Sequence, residues 1–193
     1  MRMVGPCNWD PPAEPPAWLD DGDQRPLVLV TISSEFQDDG KLIATALEAL
    51  RDKPVRVVAT SLDTNPASFD VPPNARVERF LPHAPLLERA ACVVCHGGMG
   101  ITQKALARGI PVCVVPFGRD QLETARRVEV ADAGTRLLAT KLNATRLRTA
   151  TDTAMTKRAG AARVAEGYRA AGGAPVAAGH IEELMRTQQL AAA

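Results

Sequence analysis

The residues best suited to chemistry sit in short runs at the ends of apolar stretches. His96-Gly97-Gly98-Met99-Gly100 follows one such stretch and opens a helical one. Glycine at three of these positions lets the backbone approach a ligand closely and take positive φ. The free N–H groups and partial positive charge of a helix N-terminus suit a phosphate. An imidazole beside them can donate to a phosphate oxygen. A tight strand-to-helix turn would use the same glycines for geometry alone. Asp120-Gln121 combines acceptors and donors that suit vicinal hydroxyls, and an aspartate there would equally serve as a helix N-cap. Thr31, Ser33 and Ser34 offer hydroxyl and amide groups for a phosphate, or for closing a turn. Phe80 precedes Leu81-Pro82-His83 and could stack on a flat ring or fill a core.

Cys92-Val93-Val94-Cys95-His96 matches the pattern of c-type haem attachment. These residues continue an apolar strand, however, and successive side chains of a strand point to opposite faces. The two thiols therefore cannot face one cavity, and the haem reading is set aside. With no secretory signal in view, Cys7, Cys92, Cys95 and Cys113 are expected to be reduced and the protein cytoplasmic.

The elements that must position these residues alternate along the chain. Strands are expected over 27–32, 55–59, 75–80, 91–95, 111–116 and 135–138. The first is a continuous apolar run, as in a parallel sheet covered on both faces. Helices are expected over 39–51, 84–89, 97–108, 121–131, 142–150, 155–171 and 175–190, with Gly109 as a C-cap. Strands alternating with helices imply an α/β fold, a doubly wound Rossmann-like parallel sheet. Ligands bind such sheets beyond the carboxyl ends of the strands. The turns to inspect are therefore 33–37, 81–85, 96–100 and 117–121. Residues 1–25 read as an extended linker because prolines cluster between Pro6 and Pro16. Trp9, Trp18 and Leu19 are expected to dock rather than stay free.

Composition narrows the class further. The 193 residues suit one domain. With 23 Lys and Arg against 22 Asp and Glu, the net charge of +1 argues against a nucleic-acid binder. No apolar run reaches the roughly 18–20 residues of a membrane helix.

Together, His96 to Leu106, Gly109-Ile110-Pro111, Val115-Pro116, Asp120-Gln121, Ala125, Arg127-Val128 and Gly134 resemble the signature of the UDP-glycosyltransferase superfamily. Those enzymes have the two-domain GT-B fold and include actinobacterial antibiotic and macrolide glycosyltransferases. The resemblance implies that 1–25 is the interdomain linker and 26–193 the nucleotide-sugar donor-binding domain. It implies diphosphate contacts from His96, Gly98, Gly100, Ile101 and Ser34. Phe80 would stack on the base, and the backbone of Leu81 would pair with the base edge. Asp120 and Gln121 would bind the donor sugar. No cofactor or metal is implied, and the donor would be a UDP- or TDP-sugar.

This chain departs from the pattern at two positions. Ile101 stands where the family has Thr or Ser, with Thr102 next to it as a candidate to compensate. Lys104 stands where the family often has a Glu that binds ribose hydroxyls. Lysine cannot accept hydrogen bonds, so a phosphate contact or a deoxyribose is expected there, favouring TDP over UDP. The resemblance places the acceptor site and the catalytic base on an N-terminal domain that is not in this chain. The chain is thus expected to be an inverting enzyme's donor half, binding nucleotide without turnover. The surface that meets the missing domain is one of a kind that often self-associates. The competing reading is a stand-alone nucleotide-sugar-binding module that pairs with a separate acceptor-binding protein. A Rossmann dehydrogenase fits poorly, since no G-x-G-x-x-G follows the first strand.

Overall fold

The computed structural model describes residues 1–34, 40–62 and 64–191. Six strands form one parallel sheet: β1 Leu27–Thr31, β2 Arg56–Thr60, β3 Ala75–Glu78, β4 Ala90–Cys95, β5 Val112–Val114 and β6 Gly134–Arg136. Their order is β3-β2-β1-β4-β5-β6. The chain therefore winds outward from β1 in one direction and from β4 in the other. Doubly wound sheets leave a crevice at that reversal. Thr31 pairs with Cys95 at the carboxyl end of the two central strands. Residues 32–34 and 96–98 consequently emerge side by side.

The helices are α1 Lys41–Leu50, α2 His83–Leu87, α3 Met99–Ala107, α4 Gln121–Val130, α5 Ala144–Met155, α6 Arg158–Ala171 and α7 Gly173–Ala191. Strand alternation divides the core into two layers. Val28, Val30, Cys92, Val94 and Cys113 pack with Leu42, Ile43 and Leu47 of α1 and Leu147 of α5. Leu27, Leu29, Val93, Cys95 and Val112 pack with Leu106 of α3, Val128 of α4 and Ala161 of α6. Cys92 and Cys95 thus serve opposite layers, as the strand period requires. Burial raises both thiol pKa values, and it raises that of Cys113 to about 11. These are unreactive core groups at neutral pH.

Several boundaries differ from those read in the sequence. The start of the helix expected over 39–51, and residues 35–37 of the first turn, lie outside the described residues. The third strand ends at Glu78, two residues before Phe80. Met155 closes α5 instead of opening the next helix, and the chain re-enters helix at Arg158. Gly160 in α6 lets that helix pack closely on the turn after α4. Its Cα lies so close to the carbonyl oxygen of Asp132 that a Cβ would collide with it. Gly109 does terminate α3, with φ of +70° and its N–H donating to Leu106 O at 3.0 Å.

The N-terminal segment is not a free tail. Val4 O accepts from Gly173 N at 2.6 Å, and Gly5 packs on Tyr168 and Ala171 of α6. A short 3-10 helix, η1 Ala17–Asp20, then buries Leu19 in the second layer. Trp18 packs under Arg76, whose guanidinium lies 4.7 Å from the ring centroid. Trp9 is the exception: it is 72 % exposed and docks on nothing in the core. The anchor is Arg56 on β2, largely buried. It donates to Trp18 O at 3.1 Å and forms an ion pair with Asp21 at 3.1 Å. Hydrogen bonds from a charged group each contribute about 1.5–3 kcal/mol. Arg56→Ala is therefore expected to lower unfolding free energy by about 2 kcal/mol, read as a drop in the urea midpoint. An unchanged midpoint would show that the N-terminal segment is not held this way.

Candidate functional site

The local sequence explains why the turn after β4 is open to a ligand. Gly97 has φ of +93°, and a Cβ there would sit 2.7 Å from Val114 Cγ1. Gly98 lacks room for a different reason. Its Cβ would lie 2.3 Å from His96 Nε2, so the imidazole lies across the face of the turn. Gly100 meets nothing within 4 Å, leaving open space above the first turn of α3. Gly98 at the N-cap has no side chain with which to cap this helix N-terminus. Its leading N–H groups are oriented outward with the positive end of the helix dipole behind them.

A cleft of about 390 Å³ opens at this point. It gathers most of the residues singled out in the sequence: Ser34 after β1, Phe80 and Leu81 after β3, and His96, Gly98, Gly100, Ile101 and Lys104 along the turn and α3. The Phe80 ring is 70 % exposed, which excludes a core-packing role. Leu81 is partly buried and packs on the second core layer. His96 is almost completely enclosed, at 8 % exposure.

Three positions depart from the expected arrangement. Thr102 does not replace the hydroxyl missing at Ile101. It is buried, and its Oγ1 donates to Gly98 O at 2.9 Å inside the helix. Asp120 and Gln121 begin α4 beyond the cleft lining. Asp120 is exposed and makes no side-chain cap. Gln121 is buried against Gly97, and its Oε1 accepts from Phe117 N at 2.8 Å and Gly118 N at 3.2 Å. It shapes the loop after β5 directly.

The cleft also contains residues that no sequence pattern marked. Thr60 ends β2 and donates to Thr31 Oγ1 at 3.0 Å, while His83 Nε2 lies 3.2 Å from Thr60 Oγ1. Because the Thr60 proton is already used, the imidazole nitrogen is the donor in that contact. Burial, followed by the charge of Lys104, holds His83 below its ordinary pKa of 6.5. It is therefore neutral at pH 7. The N-terminal segment contributes Asp10 and Pro11. Asp10 Oδ1 accepts from Lys104 Nζ at 2.6 Å, and Oδ2 accepts from Arg108 at 3.3 Å. Lys104 is thus already paired with an acid.

The comparisons with known proteins agree with this geometry. Residues 43–184 match the family model described as "Erythromycin biosynthesis protein CIII-like, C-terminal domain". The chain belongs to that family. It is 38 % identical over 144 residues to a PGL/p-HBAD biosynthesis glycosyltransferase of Mycobacterium tuberculosis, covering 74 % of this chain and 33 % of the relative. The fold superimposes on the calicheamicin glycosyltransferase CalG4 with a TM-score of 0.80 at 26 % identity, over 94 % of this chain and 46 % of CalG4. The glycosyltransferase VinC, solved in complex with DTDP, gives 0.81 at 26 % identity, over 92 % and 46 %. The neighbours are GT-B glycosyltransferases, and the chain spans between a third and a half of their length. Among the described residues, no helix is long and apolar enough to cross a membrane.

Two outcomes test this site. Burial raises the Asp10 pKa, but the hydrogen bonds and charges of Lys104 and Arg108 outweigh it, leaving the carboxyl below its ordinary 3.8. A pKa depressed by folding stabilises the protein above the unfolded value and ceases to do so as pH falls through the folded one. Wild type should therefore exceed Asp10→Asn in stability at about pH 6, and the gap should narrow as pH falls below the ordinary carboxylate value of 3.8. Urea titrations across that range measure it, and a gap independent of pH would refute the ion pair. Gly98→Ala should force the His96 ring aside, costing about 1–3 kcal/mol as overpacking does, with a matching fall in melting temperature.

Proposed function

We propose that the chain is the nucleotide-sugar donor-binding half of an inverting glycosyltransferase. Residues 1–25 act as its interdomain linker and 26–193 as its donor domain. The observation that carries this reading is the convergence of His96, the uncapped glycine turn and an exposed Phe80 on one cleft at the strand reversal. An anionic group suits one end of that cleft, and a flat ring suits the other.

In this reading the diphosphate lies against the N–H groups of Gly100 and Ile101, with His96 and Ser34 beside it. The base stacks on Phe80 and pairs with the backbone of Leu81. A UDP- or TDP-sugar is the donor, and its sugar extends toward the α4 end, where Asp120 is the exposed polar group. Gln121 acts there by holding the 117–118 loop.

The chemistry follows from charge. An acceptor oxygen attacks the anomeric carbon as the bond to the distal phosphate oxygen breaks. The acceptor proton passes to a base on the partner half of the enzyme, and negative charge grows on the departing diphosphate. Donors already aimed at that charge lower the barrier most. The helix N-terminus and His96 are such donors, and neither needs to reorganise. His83 is committed to Thr60 and is not the base.

A thermal-shift panel of UDP, TDP and GDP with their sugars tests the proposal. A ligand at 100 times its Kd adds about 2.7 kcal/mol of stability, a shift of several degrees. UDP or TDP should give that shift, and His96→Ala should abolish it. No nucleotide producing a shift would overturn the reading. The chain alone should release no sugar onto a phenolic acceptor, and measured turnover would show that the base lies within it.

A further inference from the structure

Asp10 is the one carboxylate among the described residues lining the cleft, and it comes from the linker rather than the domain. Its side chain is only 18 % exposed. Lys104 in α3 and Arg108 at its C-cap hold its two oxygens, 94 and 98 residues away in sequence. Asn8 adds a weaker contact to Gln103 O at 3.5 Å. The linker is thus fastened along α3, with its acid turned into the cavity.

A carboxylate in a cleft for an anionic ligand needs its charge offset. The two cations offset its charge, and each carboxylate oxygen retains capacity to accept a further hydrogen bond. What such a group suits is a neutral donor, and the vicinal hydroxyls of a ribose are neutral donors.

We propose that Asp10 accepts hydrogen bonds from the ribose hydroxyls of the bound nucleotide, with Lys104 and Arg108 as its positioning residues. This rests on the nucleotide reading above. The acceptor that Lys104 cannot provide is supplied from the linker, and the expected preference for a deoxyribose loses its basis. Linker and nucleotide bind together, so the segment between the two halves of the enzyme senses donor occupancy.

Calorimetry with UDP, 2′-deoxy-UDP and 3′-deoxy-UDP tests the assignment. A hydrogen bond to a charged group is worth about tenfold or more in affinity. At least one deoxy analogue should bind the wild type about tenfold more weakly than UDP. In Asp10→Ala that ratio should fall to about one, with Asp10→Asn between. A ratio within one folded variant is insensitive to lost stability. Equal ratios in wild type and Asp10→Ala, or no discrimination by the wild type, would overturn the role of Asp10. If His96→Ala still weakens UDP, the nucleotide reading survives that result. If wild type binds no UDP or TDP at all, both fall.

Discussion

The pairing of β1 with β4 governs this molecule. These strands are 64 residues apart in sequence at Thr31 and Cys95, yet they lie edge to edge. Each feeds its own crossover helix, and the right-handed crossovers diverge to opposite faces. Two loops therefore leave the same edge without covering one another. The cleft is the space between them. Its depth needs no special residue, since the chain cannot fill it without breaking the winding. What the sequence must supply is a small turn after β4, which Gly97, Gly98 and Gly100 provide.

Charge then attaches the N-terminal segment to this frame at two points. Arg56 draws η1 against β2 through backbone carbonyls and Asp21. Lys104 and Arg108 draw Asp10 against α3. Between them the chain has little apolar surface to bury, and its prolines limit the conformations it loses on docking. A segment of this composition would otherwise remain free. Polar anchoring also leaves Trp9 exposed, because nothing in the arrangement pulls it inward.

Much of this was legible in the sequence. Apolar runs mark the buried strands β1, β2, β4 and β5, and the residue types at the carboxyl ends of the strands identify the cleft. Strand ends were less legible. Phe80 belongs to an apolar run but lies past its pairing with β2, where exposure rather than hydrophobicity sets its role. The close approach of α6 to the turn after α4 depends on Gly160 meeting Asp132, a contact between distant turns that no local period encodes. Asp10 is the clearest case of information absent from local pattern. Its importance comes from two cations nearly a hundred residues downstream, and a lone acid among prolines carries no trace of them. Gln121 was visible as a polar residue at the right edge, but only its burial reveals that its carbonyl is spent on the loop.

The close approach of His96 to Gly98 has an evolutionary implication. The imidazole occupies the space a side chain at 98 would need, so neither position is free to vary alone. Any larger residue at 98 evicts the histidine, and loss of the histidine removes the local reason for glycine. The two sites form a single unit of inheritance. Descendants in which the turn has lost its glycine should also have abandoned the imidazole, and with it whatever chemistry the ring performs.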